Sequence, residues 1–217
     1  MDTEQKRRSE FAGVCHLVQQ KQLVFGAGGN LSLRLGKQVL MTPSGRALEF
    51  LQAEDLVLVE PDGSYSGHGK PSSEYRMHLG CYAARDDINV ILHLHSLYAT
   101  AVSCLKTLNR EQAIPIFTPG YGKRVGALPA VAYMRPGSQG LAEEVSAVIA
   151  ERNSVLLQNH GMVVAGETVE QALGLAEEIE AEARMYLLLG ERGRELSSQE
   201  IEDLVHYATG ADKEKRQ

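Results

Sequence analysis

The fold of this chain is constrained most by short β-type runs that follow one another with only a turn between them. Leucine alternates with polar residues over 31–35, and Gly36 leads into a second run over 38–42. A third run, DLVLVE at 55–60, is closed by the turn signal Pro-Asp-Gly. Strands joined by tight turns pair antiparallel, because a parallel pair needs a crossover of about a dozen or more residues. The sequence therefore predicts a largely antiparallel sheet.

Helical segments alternate with the predicted strands. Apolar residues recur at helical spacing over 3–22 and again over 141–149. Thr168 and Gln171 form a capping box at the start of a long helix. We predict further strands at 89–95, 114–117, 130–133, 154–158 and 162–165, with a glycine-rich stretch at 120–126 between two of them. Since the chain shows no internal repeat and no change of composition, we expect a single α/β domain over 1–217, with helices flanking the sheet.

The charge balance argues against two classes of partner. Twenty-two Lys and Arg residues against 28 Asp and Glu residues give a formal charge of −6, without a basic patch for nucleic acid or for an anionic membrane. No apolar run approaches the roughly 18 residues of a membrane span, and no signal peptide is recognised at the N-terminus. The three cysteines are widely spaced, which favours reduced thiols. We therefore expect a cytoplasmic protein that captures any anionic ligand with local donors.

The sharpest chemical signal is His93-Leu94-His95. On a strand, residues i and i+2 point to the same face, so both imidazoles project together while Leu94 faces the core. This geometry suits a divalent metal, and neutral imidazole favours zinc. The residues that follow the pair match neither the cupin pattern nor the metallo-β-lactamase pattern. A pair of hydrogen-bonded histidines at a strand end is the alternative.

Two further residues complete a candidate metal site. His160 lies after an apolar strand and before a glycine, and three histidine ligands with an open position are typical of catalytic zinc. Glu74 stands at a predicted helix start, where the helix dipole favours its carboxylate. Beside a metal it would serve as general base for a C–H acid, whereas alone it is an ordinary helix-start residue. The remaining histidines are predicted to be surface or structural residues: His16, His68, His78 and His206. His78 lies one helical turn after Glu74, and facing the site is the less favoured alternative for it.

Neutral hydrogen-bond donors occur in three segments. The GAGGN segment at 26–30 precedes a strand, so it fits neither the P-loop nor the dinucleotide-binding fingerprint, both of which open a helix. Its backbone N–H groups could form a nest for phosphate. The TPSG segment at 42–45 and the Ser72-Ser73 pair supply further hydroxyl and amide groups. Each of these segments is also a common turn sequence.

Taken in order along the chain, these pieces resemble the class II aldolase/adducin family, and their pattern is closest to L-fuculose-1-phosphate aldolases. The resemblance is carried by five motifs: GNLS at 29–32, TPSG at 42–45, KPSSE at 70–74, HLHS at 93–96 and QNHG at 158–161. It extends over most of the chain. Five ordered motifs at family spacing are far more specific than any one of them.

The resemblance implies a three-layer α/β/α fold with a central, mainly antiparallel sheet. It also implies one zinc ion per subunit, held by His93, His95 and His160, with other divalent transition metals as substitutes. In such enzymes the residue matching Glu74 ligates the resting metal and then swings away to act as the base. The substrate phosphate lies against the positions matching Gly29, Asn30, Ser44, Gly45, Ser72 and Ser73.

The activity implied by the resemblance is that of a zinc-dependent sugar-phosphate lyase. It would cleave a ketose 1-phosphate to dihydroxyacetone phosphate and an aldehyde through a metal-stabilised enediolate, with Glu74 handling the proton. The family further implies a homotetramer with active sites at subunit interfaces. A tyrosine of the neighbouring subunit acts on the aldehyde oxygen in family aldolases, and Tyr121 matches it when a gap is allowed. Tyr207 is a candidate for the tail tyrosine that closes over the site.

Three alternatives remain open. Residues 117–126 and 132–137 look more like the 3-oxo-tetronate 4-phosphate decarboxylases of the same family, which use the same type of metal-stabilised enolate. Epimerase chemistry on a pentulose 5-phosphate is less favoured, because no matching acid/base pair is evident. A non-catalytic, adducin-like binding module would keep the fold without needing the metal ligands.

Overall fold

A single sheet forms the centre of the molecule. The computed structural model describes residues 3–209, except the side chains of Thr3, Val205 and residues 207–209. The strands are β1 (Asn30–Leu35), β2 (Gln38–Met41), β3 (Val57–Val59), β4 (Tyr65–Ser66), β5 (Val90–Leu94), β6 (Ala130–Val131), β7 (Ser154–Leu157) and β8 (Gly161–Gly166). Their order in the sheet is β4-β3-β2-β1-β5-β8-β7-β6, and every neighbouring pair is antiparallel except β6 with β7. The prediction of a mainly antiparallel sheet is confirmed.

Helices cover both faces of this sheet. They are α1 (Thr3–Gln20), α2 (Tyr75–Ala84), α3 (Leu97–Ser103), α4 (Pro119–Arg124), α5 (Gln139–Ile149), α6 (Val169–Leu189) and α7 (Ser198–Thr209). Leu92 and Leu94 of β5 pack with residues of α1, α3 and α6, whereas Ile91 packs with residues of α2 and α5. The fold is therefore a three-layer α/β/α arrangement. Within residues 3–209, none of the helices is long and apolar enough to cross a membrane.

The alternation of side chains along β5 determines where the candidate ligands lie. Because successive side chains of a strand point to opposite faces, His93 shares the face of Ile91 and lies on the side of α2 and α5. Asn30 of β1 is paired directly with His93 across the sheet. The hairpin pairing of β7 with β8 carries the QNHG turn to the same edge. Strand register thus gathers motifs that are far apart in the chain.

One sequence prediction was wrong and one helix was not predicted, both in the same region. Residues 114–117 do not form a strand of the sheet, because their backbone bonds to a loop and to side chains: the Leu196 N–H donates to the Ile116 carbonyl oxygen at 2.7 Å, and the Phe117 N–H donates to the Glu182 carboxylate at 2.6 Å. The glycine-rich stretch at 120–126, for which no helix was predicted, lies largely in the helix α4. The hydroxyl of Thr118 caps this helix, and Pro119 occupies its first position. Both features favour a helix, whereas its glycines disfavour one in the sequence.

Candidate metal centre

Three histidines from neighbouring strands meet at one edge of the sheet. His93 and His95 lie at the end of β5, and His160 lies in the turn between β7 and β8. The pairing of β5 with β8 brings this turn next to the end of β5. The Nε2 atom of His93 is 3.0 Å from Nε2 of His95 and 3.2 Å from Nε2 of His160. The structure therefore brings together the three histidines that the sequence singled out.

The hydrogen bond of His93 determines which of its ring nitrogens carries the proton. Its Nδ1 lies 3.0 Å from the backbone oxygen of Met162, which can only accept, so a neutral His93 is protonated at Nδ1. Its Nε2 is then a bare lone pair that points at the two other rings. In a tetrahedral site with Zn–N bonds of about 2.0–2.1 Å, ligand nitrogens lie about 3.3 Å apart. The observed spacing and the bare nitrogen fit a divalent metal ion.

Glu74, which immediately precedes α2, directs its carboxylate at the same place. Its Oε2 is 3.1 Å from Nε2 of His93, and its Oε1 is 3.7 Å from Nε2 of His160. Oε2 also accepts a 3.0 Å hydrogen bond from Nδ2 of Asn30. Oε1 is buried and has no hydrogen-bond partner among the described residues. A buried carboxylate with an unpaired oxygen is costly without a cation beside it, so Glu74 fits the role of a fourth ligand.

The pKa shifts of these groups favour the protonation state that metal binding requires. Burial, with the nearby His93 second, lowers the pKa of His95 to about 3 and that of His160 to about 4. Burial acts to raise the pKa of Glu74, but its contacts with His93, His160 and Asn30 outweigh burial and hold it well below the usual range. Metal ligation requires neutral imidazoles and an ionised carboxylate. At neutral pH the cluster is therefore ready to bind a cation.

Two glycines allow the backbone to approach His95 closely. A Cβ atom at Gly161 would lie 2.4 Å from the backbone oxygen of Leu94 and 2.9 Å from Cδ2 of His95. A Cβ atom at Gly28 would lie 2.9 Å from Nδ1 of His95. Neither position can accept a side chain unless the ring or the strand moves. The glycine that ends the QNHG motif is thus required by the packing of a candidate ligand.

The segments predicted to bind phosphate lie side by side. Two backbone hydrogen bonds of 3.0 Å each join the TPSG segment at 42–45 to the KPSSE segment at 70–74. The first segment also contacts β1, because the Thr42 hydroxyl accepts a 3.1 Å hydrogen bond from the N–H of Leu31. The six predicted positions differ in exposure: Asn30 and Ser72 are buried, Gly29 is half-buried, and Ser44, Gly45 and Ser73 are exposed. Their role in phosphate binding stays a prediction.

Tyr121 is not part of this cluster. It lies in α4, is 0% exposed, and packs in the core on the side of α1, α3 and α6, opposite to the face of His93. Its hydroxyl has no hydrogen-bond partner among the described residues, and burial raises its pKa above the ordinary value. Its catalytic role stays a prediction, and α4 would have to move for the hydroxyl to reach a substrate. The side chain of Tyr207 lies outside the described part of the chain.

The sequence did not identify the polar residues behind the cluster. His78 of α2 is 0% exposed and is hydrogen-bonded to Asn30 and to Ser32 of β1. Tyr82, one helical turn further on, is also hydrogen-bonded to Ser32. One signal was available, since His78 lies four residues after Glu74, the spacing at which residues share a helix face. What the sequence lacked was the position of β1 beneath that face.

Comparison with known proteins gives a consistent result. The family model described as "Class II Aldolase and Adducin N-terminal domain" matches residues 9–187. A 3-oxo-tetronate 4-phosphate decarboxylase of Haemophilus influenzae is 41% identical over 181 residues, covering 82% of this chain and 86% of the relative. An L-fuculose phosphate aldolase of Methanococcus maripaludis is 37% identical over 179 residues, covering 82% and 95%. The crystal structure of YgbL from Escherichia coli superposes with a TM-score of 0.89 at 36% identity, covering 94% of this chain and 100% of the other.

Proposed function

This chain belongs to the class II aldolase and adducin family, and from that premise we propose that it is a metal-dependent decarboxylase of a 3-oxo-tetronate 4-phosphate. The observation that carries the proposal is the convergence of His93, His95 and His160 on the carboxylate of Glu74. A complete set of this kind is what a non-catalytic module would not need. Relatives named as decarboxylases share somewhat more identity with the chain than relatives named as aldolases, which favours this substrate class.

A divalent metal held by these four residues, with zinc the ion that three imidazoles favour, would supply a Lewis acid for the substrate's oxygen atoms. The chain's own residues would orient the substrate and transfer the proton. The C1–C2 bond breaks, carbon dioxide leaves, and the electron pair stays on C2. The proton that C2 gains comes from solvent through the carboxyl group of Glu74. The product is the three-carbon ketone phosphate, dihydroxyacetone phosphate.

Binding of the phosphate would rely on neutral donors. Asn30 and Ser72 are buried next to Glu74, and the exposed hydroxyls of Ser44 and Ser73 lie on the paired loops beside them. Lys70, in the same segment, is exposed and adds one positive charge. A mildly acidic protein can bind an anion in this way, because local donors replace a global positive field.

Aldol cleavage of a ketose 1-phosphate is the second candidate. It is favoured by Ser72-Ser73-Glu74, which matches the aldolase form of the motif, and by the relatives named as aldolases. Both reactions leave the same electron pair on the same three-carbon fragment. They differ in the leaving group, which is carbon dioxide in decarboxylation and an aldehyde in aldol cleavage. An aldolase must therefore also move a proton on the aldehyde oxygen. Tyr121, the predicted acid for that step, is buried in the hydrophobic core of its own subunit. For this reason we place decarboxylation first.

We also propose that the active form is a cytoplasmic homotetramer with sites at subunit interfaces. Leu97, two residues after His95, is 55% exposed, and Phe25, close to Gly28, is 50% exposed. Large apolar side chains at the edge of a polar site are typical of surfaces covered by another protein chain. Such a neighbour would contribute part of the pocket for the leaving group.

The experiment that tests the function compares the two leaving groups directly. Zinc-loaded protein is given both C2 epimers of 3-oxo-tetronate 4-phosphate, and carbon dioxide and dihydroxyacetone phosphate are measured above the spontaneous rate. The same protein is given ketose 1-phosphates, and aldehyde is measured. We expect carbon dioxide and dihydroxyacetone phosphate in equal amounts. Aldehyde release from a ketose 1-phosphate without any decarboxylation would establish the aldolase instead.

A further inference from the structure

A buried chain of hydrogen bonds runs from the candidate metal centre to the far end of α2. The Nδ2 atom of Asn30 donates to Oε2 of Glu74 at 3.0 Å, and its Oδ1 lies 2.6 Å from Nε2 of His78. On the other side of the ring, Nδ1 of His78 lies 2.7 Å from the hydroxyl of Ser32. That hydroxyl is 2.9 Å from the hydroxyl of Tyr82. All five residues are buried, at 6% exposure or less.

The Glu74 carboxylate at one end determines which group donates and which accepts in each of these hydrogen bonds. An ionised carboxylate can only accept, so the Asn30 amide must present its NH₂ group to Glu74 and its oxygen to His78. The ring of His78 must then donate from Nε2 and accept at Nδ1, where the Ser32 hydroxyl is the donor. In the opposite arrangement the Asn30 oxygen would face the Glu74 oxygen at 3.0 Å, which is repulsive.

The surroundings keep His78 neutral, as this arrangement requires. The ring is 0% exposed, and burial, followed by the nearby His93, lowers its pKa to about 3. At neutral pH the imidazole therefore has one proton, and its two neighbours select the nitrogen that carries it. Since the Ser32 hydroxyl donates to His78, the single proton of the Tyr82 hydroxyl has three possible acceptors: the Ser32 hydroxyl at 2.9 Å and the backbone oxygens of Ser32 at 3.0 Å and Asn89 at 3.3 Å.

We propose that His78 is a positioning residue: its Nε2–H group fixes the Asn30 side-chain amide so that the NH₂ group faces Glu74 and holds its carboxylate in the orientation that completes the metal site. The inference rests on the proposed function only in taking Glu74 and the three histidines as metal ligands. A role in packing alone would be met by any side chain of similar size. A role in positioning requires an N–H donor at the place of Nε2.

Two substitutions separate these roles. In His78→Gln the terminal amide nitrogen can occupy the place of Nε2 and donate to Asn30. In His78→Asn the shorter side chain reaches only the place of Nδ1, so the donor to Asn30 is lost. The measurement is the zinc dissociation constant by competition with a chromophoric chelator, with no substrate present. Ser146→Ala is the matched control, because this hydroxyl lies in the same helical layer, contacts Ala142 and takes no part in the chain.

We expect zinc binding by His78→Gln and by Ser146→Ala to remain close to wild type. Binding by His78→Asn is expected to weaken by about 10- to 100-fold, the usual effect of losing a group that orients a metal ligand. Ser32→Ala, which removes only the donor to Nδ1 and keeps the ring, is expected to weaken zinc binding several-fold. This variant provides a test even if His78→Asn does not fold.

Three results would overturn the inference: wild-type affinity in a folded His78→Asn, equal losses in the Gln and Asn variants, or wild-type affinity in Ser32→Ala. The proposed function fails separately. If the zinc affinities follow the expected order but no carbon dioxide is released from the 3-oxo acid phosphate, the positioning role stands and the substrate assignment is wrong. If carbon dioxide is released but the zinc affinities do not follow the expected order, the substrate assignment stands and the positioning role is wrong.

Discussion

Gly161 shows how closely a single residue is packed against the candidate metal centre. It follows His160 directly, begins β8, and lies against the backbone of Leu94 and the ring of His95. Hydrogen at the Cα position leaves room for both contacts, whereas any side chain meets a backbone oxygen that cannot rotate away. The position of two candidate ligands thus depends on the absence of one methyl group.

We predict that Gly161→Ala weakens zinc binding by at least about tenfold, because the added Cβ would lie 2.4 Å from the Leu94 oxygen and 2.9 Å from His95. Chelator competition gives the affinity. Gly174→Ala is the control, since nothing lies within 4 Å of a Cβ at that helical position. It is expected to bind zinc normally and to be slightly more stable. Normal zinc affinity in Gly161→Ala would contradict the packing described for this turn.

His78 makes a prediction about stability as a function of pH. Its pKa is about 3 in the folded chain, against an ordinary histidine value of 6.5, so between these values the unfolded state binds one more proton. The stabilisation is complete above pH 6.5 and is lost as the pH falls toward 3, at about 1.4 kcal/mol per pH unit for one proton. In the metal-free protein, the free energy of unfolding of His78→Gln should therefore fall less steeply over about pH 4–6, measured by urea titration. Parallel slopes would show that His78 is not buried in its neutral form.

The candidate ligands could be singled out from the sequence because their signals are local. The i, i+2 spacing of His93 and His95 needs only a strand, and His160 needs only the adjacent turn and glycine. The role of His78 could not be predicted in the same way. It depends on α2 lying over β1 so that the ring meets Asn30 and Ser32, 48 and 46 residues away in the chain. Such contacts follow from sheet register, which one sequence does not reveal.

At the scale of elements, α6 holds the start of α3 in place. The Glu180 carboxylate accepts hydrogen bonds from the Ser96 hydroxyl at 2.7 Å and from the backbone N–H groups of Tyr98 and Ala99 at 2.9 Å each. These donors belong to the free N-terminus of α3, which begins just after His95. A carboxylate from one helix therefore caps another helix at the point where the chain leaves the candidate metal centre.

Glu180→Ala leaves these donors without their partner, and we predict a loss of about 1–3 kcal/mol in the free energy of unfolding. Glu177→Ala is the matched control on the same helix. Among the described residues, Glu177 pairs only with Lys21 near the surface, with side chains 47% and 34% exposed, so its loss should cost about 0–1 kcal/mol. Chemical denaturation of both variants gives the comparison. Equal losses would mean that the cap contributes no more than a surface ion pair.

Elements with a clear period could be predicted, and those with competing signals could not. The alternation over 31–35 and the capping residues Thr168 and Gln171 correspond to β1 and to the start of α6. Helix α4 was missed because two of its six residues are glycine, which has a low helix propensity. The capping residue Thr118 is a weaker signal in the sequence than these two glycines. The apolar run at 114–117 was taken for a strand, yet its residues are buried by loops and helices rather than by pairing in the sheet.

At the scale of the whole molecule, the surface suggests an assembly larger than one chain. Leu97 and Phe25 are exposed beside the candidate site, and Leu188, near the end of α6, is 61% exposed. We predict that light scattering after size exclusion gives about four times the chain mass of 23.7 kDa and that a charge at position 97 (Leu97→Glu) shifts the protein toward smaller species. A monomeric wild type with full activity would contradict the proposed interface sites.

The central claim is that the site, when it holds a metal, stabilises an electron pair on the carbon of dihydroxyacetone phosphate from which carbon dioxide is lost. Glu74 transfers the proton to and from that carbon. The most direct test is to incubate zinc-loaded protein with dihydroxyacetone phosphate in deuterated water and to follow the hydroxymethyl protons by NMR. We predict stereospecific exchange of one proton, slowed about 10²- to 10⁴-fold in a zinc-loaded Glu74→Gln variant. Absence of exchange in the zinc-loaded, assembled wild type, or equal exchange in Glu74→Gln, would contradict the account.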